Sequence, residues 1–271
     1  VTLPYFENTG DGGRILPIAM AHRGFSREGL ENSMAAFRAA SGLGYRYLET
    51  DVHTTADGVL HLFHDDTLDR VTDGRGKVSE LTAAQVAAAR ISGRERVPLF
   101  DELVTALPAV RLNLDVKDWS SVRSLAAAIE RHRVHDSVLV TSFSDRRRRA
   151  VLELLTRPVA ASAGVVSSAL FTLLGPVLPA PVFARVMRHV LRDVQALQVP
   201  VRQGPVRVAT PGFIRRAHAL GLVVHVWTIN SADEMRRLLD LGVDGIVTDR
   251  ADLLRDVLLA RGEWPATGGR S

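Results

Sequence analysis

Short apolar runs rich in Val, Ile and Leu alternate along this chain with longer segments of helical period, the pattern of repeated βα units around a parallel sheet. Eight such runs occur: Leu16 to His22, Tyr45 to His53, Arg111 to Lys117, Val138 to Ser142, Val159 to Ala163, Val194 to Val199, Leu222 to Ile229 and Gly245 to Thr248. Helical segments follow them, for example Asn32 to Ser41, Ser120 to His132, Asp145 to Leu155, Ala232 to Leu241 and Ala251 to Leu259. Eight strand-then-helix units predict an α/β fold, a closed (β/α)8 TIM barrel, ahead of an open doubly wound sheet, which needs fewer strands.

The alternation is interrupted once. Between the second and third runs, Thr54 to Asp101 is longer than an ordinary βα connection. Asp57-Gly58 signals a hairpin, Val59 to His64 reads as its returning strand, Asp73 to Gly76 as a loop and Thr82 to Arg90 as a small alanine-rich helix. The expectation is one barrel domain over 1–271, with this insertion at about 54–101 and a tail that frays after Gly262.

A second irregularity is the uncharged stretch Pro158 to Ala184. It has the length of a membrane span, ~20 residues, but Pro176, Pro179 and Pro181 break it. It reads as a βα loop and short helix packed on the barrel. The alternative is an apolar lip, with Leu170, Phe171 and Leu174, that makes a peripheral membrane or lysolipid contact through residues 163–184.

Composition narrows the chemistry. With 271 residues, 46% hydrophobic and 24% charged, the chain is a soluble globular type with ample core material. A net charge of +4 favours anionic ligands in general and is too diffuse to indicate nucleic acid. The basic run Arg146 to Arg149 follows Ser144 and Asp145 and reads as the first turn of a helix, whose successive side chains diverge. Absence of cysteine excludes disulfides, thiolate metal sites and thiol nucleophiles. No basic, apolar leader opens the chain, no transmembrane helix is evident, and a start at Val1 implies a removed upstream piece, so the compartment stays open.

Polar residues at the C-terminal ends of barrel strands face a shared mouth. Here the first run ends His22-Arg23-Gly24, the second carries Glu49-Thr50-Asp51 and His53, and the third reads Asn113-Leu114-Asp115-Val116-Lys117. Strand alternation puts Glu49 with Asp51, and Asn113 with Asp115 and Lys117, leaving Leu112, Leu114 and Val116 on the opposite face. Taken singly, each acid is more often a salt-bridged surface group. Three carboxylates aimed at one point repel unless a cation sits among them, and oxygen ligands favour one divalent cation, magnesium or calcium, over zinc. His22 and His64, each unremarkable alone, supply beside these acids the acid and base that phosphoryl transfer needs. Arg23 and Lys117 offer fixed positive charge to non-bridging phosphate oxygens. Asn230 reads as a helix cap, and Glu31 and Asn32 as either site neighbours or the start of the first helix. His61, His132, His135, His189 and His218 read as structural or solvent-facing.

In order, His22-Arg23-Gly24, Leu30-Glu31-Asn32-Ser33, Glu49-Thr50-Asp51-Val52, Phe63-His64-Asp65, Val97-Pro98-Leu99, Leu112 to Lys117, Val226 to Asn230 and Asp244 to Asp249 resemble the signature of glycerophosphodiester phosphodiesterases over roughly residues 16 to 260. The resemblance implies the barrel, Glu49, Asp51 and Asp115 as metal ligands, and His22 and His64 as the catalytic pair. It also places Trp227 beside the glycerol or alcohol moiety. The implied reaction is metal-dependent hydrolysis of glycerophosphodiesters to glycerol 3-phosphate and an alcohol, with a substrate hydroxyl attacking phosphorus and water opening the cyclic product. A lysophospholipase D and a non-catalytic phospholipid-binding barrel stay open as alternatives. Two positions depart from the pattern. Asp115 stands where the family usually has glutamate, as in related phospholipase D toxins that act on sphingomyelin, and Thr248-Asp249-Arg250-Ala251 lacks the usual proline.

Overall fold

The structure, a computed structural model, describes residues 3–10, 13–26 and 28–265. Eight parallel strands form its centre: β1 (Ile18–His22), β2 (Tyr47–Thr54), β3 (Arg111–Val116), β4 (Val138–Thr141), β5 (Ala160–Ala161), β6 (Ala196–Pro200), β7 (Val223–Trp227) and β8 (Gly245–Thr248). Their spatial order is β5-β4-β3-β2-β1-β8-β7-β6. A parallel bridge between Ser162 and Ala196 joins the two ends, with Ala163 N donating to Ala196 O at 3.0 Å and Gln195 N to Ala161 O at 3.0 Å. The predicted TIM barrel is therefore the fold. Each strand falls within a predicted run or overruns it by one residue, as Thr54 and Pro200 do.

Alternation sorts the strand side chains into two cores. Leu48, Leu112, Leu114, Val140, Val224 and Val226 face outward into the larger core beneath the helices. Ile18, Met20, Tyr47, Leu139 and Val247 face inward. Tyr5 closes the N-terminal end of the barrel, its ring edge-on to Tyr47 at 5.4 Å and its carbonyl accepting from Tyr47 Oη at 2.9 Å. Because Tyr47 points inward, so do Glu49 and Asp51, two and four residues on. The β2–β3 register pairs Glu49 with Asn113 and Asp51 with Asp115, which brings the acids side by side.

Covering helices are α1 (Met34–Gly42), α2 (Phe100–Ala106), α3 (Ser121–His132), α4 (Asp145–Leu152), α5 (Val165–Leu174), α6 (Ala180–Val190), α7 (Pro211–Ala219), α8 (Ala232–Asp240) and α9 (Ala251–Ala260). Ser33 Oγ caps α1 by accepting from Ala36 N at 3.1 Å, satisfying one of the orphan donors of the first turn. The basic run of α4 is structural. Arg148 is fully buried between Asp145 and Asp193, Arg149 pairs with Asp193, and Arg147 Nε donates to Ser142 Oγ at 3.0 Å.

In the insertion, Leu60–Leu62 pairs antiparallel with β2 after the Asp57-Gly58 turn, and Thr82 and Gln85 form a capping box at a helix over Ala83–Ala88. It has its own core of Phe63, Leu68, Val78, Val86, Ile91 and Val97. Burial of each contributes about 1.5–3 kcal/mol, enough to fix the turn that carries His64. After Gly262, Glu263 pairs with Arg14 and Arg261, and Trp264 meets Tyr45 edge-to-face at 5.0 Å. The rest of the predicted frayed tail, 266–271, lies outside the described residues.

Candidate active site

The C-terminal strand ends surround a cavity of about 510 Å³ lined by His22, Arg23, Glu49, Asp51, His64, Asp115, Lys117 and Trp227, so the sequence's candidate acids, histidines, cations and tryptophan reach one cavity. His22 ends β1. The chain then turns through Arg23 at φ 54° and Gly24 at φ 80°. A side chain at Gly24 would put Cβ 2.7 Å from the Ala36 carbonyl carbon, so only glycine permits this turn.

Both histidines are held through Nδ1. His22 Nδ1 lies 2.6 Å from Asp249 Oδ1, and His64 Nδ1 lies 2.6 Å from Asp65 Oδ1. Nε2 is thereby the nitrogen left for chemistry on each ring. His22 Nε2 is 3.8 Å from Glu49 Oε2. Burial alone would lower the His22 pKa, but Glu49 and Asp249 overcome it and the net shift is upward. For His64 burial prevails over the attraction of Asp51 and Asp65, and its pKa is lowered.

Positive charge in the cavity is paired with its acids. Lys117 Nζ bridges Asp51 Oδ1 at 2.9 Å and Asp115 Oδ2 at 2.7 Å, and lies 5.7 Å from the Phe143 ring centre. Arg23 Nε is 3.4 Å from Asp51 Oδ2, while its Nη1 donates to Glu31 Oε1 at 2.8 Å. Neither cation points free toward a phosphate; both are engaged by acids, because burial leaves no other compensation for those charges. Despite its burial, Asp51 is held ionised by Lys117 and Arg23. Burial pushes the Asp115 carboxyl up in spite of Lys117. Burial and then the neighbouring Asp51 charge push Glu49 up to about 7.

Three acids thus face two cations, with Glu49 left over. Asp115 Oδ1 is buried without a hydrogen-bond partner. Among the described residues no three acid or histidine side chains form a ready-made metal cage, and Lys117 stands between two of the expected ligands.

Several partnerships escaped the sequence reading. Asn230, read as a helix cap, instead donates from Nδ2 to Asp249 Oδ2 at 2.7 Å and accepts from Asp249 N at 2.9 Å, fixing the carboxylate that holds His22. Ser231 occupies the cap position of α8. Asn32 Nδ2 donates to Asp51 Oδ2 at 3.0 Å, so it does join the site. Arg70 ties Asp65 to Glu31, linking the His64 support to the Arg23 support. His53 Nδ1 lies 2.6 Å from Asp118 and its Nε2 is 3.2 Å from the His64 carbonyl. Adjacency of Asp65 to His64 was the one local signal.

The opposite wall is apolar. Phe143, Val165, Ala169, Leu173, Val206 and Trp227 line it, and Phe143 meets Trp227 edge-on at 6.1 Å.

Residues 22–253 match the profile of the glycerophosphoryl diester phosphodiesterase family. A probable glycerophosphodiester phosphodiesterase 2 of Mycobacterium tuberculosis is 46% identical over 96% of this chain and 97% of its own. A human lysophospholipase D is 27% identical, over 90% and 87% of the two chains. In fold, the chain is similar to an Oleispira antarctica phosphodiesterase solved in complex with the product sn-glycerol-3-phosphate, with a TM-score of 0.75, 23% identity, and 90% and 97% of the chains covered.

Proposed function

Because the chain belongs to the glycerophosphoryl diester phosphodiesterase family, we propose that it hydrolyses glycerophosphodiesters to glycerol 3-phosphate and an alcohol, with His22 and His64 as the acid and base. One observation carries this reading: two histidines, each with Nδ1 fixed 2.6 Å from its own carboxylate, share a cavity with three buried acids. One Nε2 takes the proton from the attacking oxygen and the other gives a proton to the departing alcohol. Lys117 and Arg23 hold the acids ionised and add positive potential toward the phosphate.

The residues fit a divalent cation. The donors are all oxygen, Asp115 Oδ1 lacks a partner, and Glu49 is the acid the two side-chain cations leave uncompensated. Glu49, Asp51 and Asp115 would hold magnesium or calcium, which when bound supplies Lewis-acid charge for the non-bridging phosphate oxygens.

The apolar wall of Val165, Ala169 and Leu173 favours a second substrate class, lysophospholipids, cleaved by the same chemistry. A non-catalytic phospholipid-binding barrel accounts less well for two carboxylate-anchored histidines. Phosphorus NMR of glycerophosphocholine incubated with the protein and magnesium or calcium tests the reading. Glycerol 3-phosphate is the expected product, and its absence with both ions refutes it.

A further inference from the structure

Phe171 is not part of an exposed lip. It is buried, its ring edge-to-face with Phe183 at 5.1 Å and Phe213 at 4.8 Å, and so anchors α5 and α6 to α7. The start of α5 is pinned as well, because Asp145 accepts from Gly164 N at 3.0 Å and Ser167 N at 3.1 Å. With one face held inward, the other cannot turn away from water. That outer face carries Val166, Leu170, Leu173, Val177 and Val182, exposed by 37% to 75%. No charge interrupts it from Pro158 to Ala184. Val166, Leu170 and Leu173 recur at i, i+4 and i+7 along α5, so they share one helix face, and an exposed apolar face of this kind marks an interaction site rather than ordinary solvent-facing helix.

Charge returns just behind it. Arg185, Arg188 and Arg192 are exposed, and none of them is in an ion pair among the described residues. At about 1.5 Å per helical residue, Arg188 lies roughly 9 Å along α6 from Val182. An apolar end that enters a bilayer by about 5–10 Å, with arginines following at that depth, matches an interfacial layer of anionic headgroups. No helix of the described residues is long and apolar enough to cross a membrane. α5, with 10 residues, reaches about 15 Å, half the hydrocarbon thickness. Leu173 belongs both to this face and to the cavity wall, so the surface is continuous with the active-site mouth.

We propose that the α5–α6 hairpin docks this protein on anionic lipid bilayers and thereby seats the cavity mouth against the interface. Only the benefit to catalysis rests on the proposed function; docking itself requires no turnover.

The test is sedimentation of the full chain with vesicles of equal parts phosphatidylcholine and phosphatidylglycerol, against phosphatidylcholine alone. Two variants are compared, V166S/L170S/V177S and R185Q/R188Q/R192Q, after circular dichroism has verified their fold. None of these six residues is among those that line the catalytic cavity. Wild type should bind the mixed vesicles. The serine variant should lose about tenfold or more in partitioning, and the glutamine variant about 100-fold, at about fivefold per arginine. Both should keep wild-type turnover of soluble glycerophosphocholine. No binding by wild type, or unchanged binding by both variants, overturns docking. A lipid-free dimer abolished by the serine variant also overturns it, because a second copy would then cover the face. Vesicle binding without any phosphodiester turnover would sink the enzymatic reading while leaving docking intact.

Discussion

Asp249 Oδ1 lies 2.6 Å from His22 Nδ1, and Asn230 determines which way that carboxylate faces. The Asn230 amide donates to Asp249 Oδ2 and accepts from the Asp249 backbone, so the partner oxygen must remain an acceptor. In Asp249→Asn the carboxamide oxygen would stay with Asn230 and the new NH2 would face His22, forcing the opposite tautomer. The expected result is a fall in kcat of about 10²-fold or more, with KM nearly unchanged and the histidine limb of the pH profile displaced. A wild-type pH profile in a folded variant would show that Asp249 does not position His22.

Ion dependence follows from the charge count. Chelation should abolish turnover reversibly, and added magnesium or calcium should restore it. Asp51→Asn should weaken ion binding measured calorimetrically, whereas Asp115→Glu, longer by one methylene, should alter the preference between the two ions. Full activity in stripped protein would contradict the assignment of Glu49, Asp51 and Asp115.

Stability should fall in mild acid because of His225. Its imidazole is wholly buried inside the barrel, with Nδ1 3.2 Å from Gln198 Nε2, and burial pulls its pKa down to about 3. The unfolded chain takes up that proton near pH 6.5, the folded chain only near 3. The contribution is therefore complete above pH 6.5 and is lost as pH falls toward 3, by up to about 1.4 kcal/mol per pH unit. Denaturant unfolding of wild type and His225→Asn between pH 7 and 4.5 should give a shallower slope for the variant. Equal slopes would remove His225 as the cause.

The barrel was legible because burial on one or both faces leaves apolar runs that composition cannot hide, and the inward acids were legible because alternation from Tyr47 puts Glu49 and Asp51 on one face. Partnerships across the mouth were not. An aspartate such as Asp249, ahead of a helix, has the same local appearance whether it caps that helix or grips a histidine 227 residues away. Lys117 lines the cavity with those acids, but its choice of Asp51 and Asp115 over an outward pose depends on the depth of the cavity. Phe171 fails in the opposite sense. In an uncharged run no polar residue marks the outer face, so sequence could not separate the aromatic anchor from exposed Val166 and Leu170.

The central claim is the pair of proton transfers at His22 and His64, and glycerophosphocholine turnover by His22→Ala and His64→Ala tests it most directly. With metal supplied and the fold verified by circular dichroism, each variant should lose about 10²-fold or more in kcat, and the double variant should fall little further if the two act as a unit. Near-wild-type release of glycerol 3-phosphate by either single variant would contradict the account.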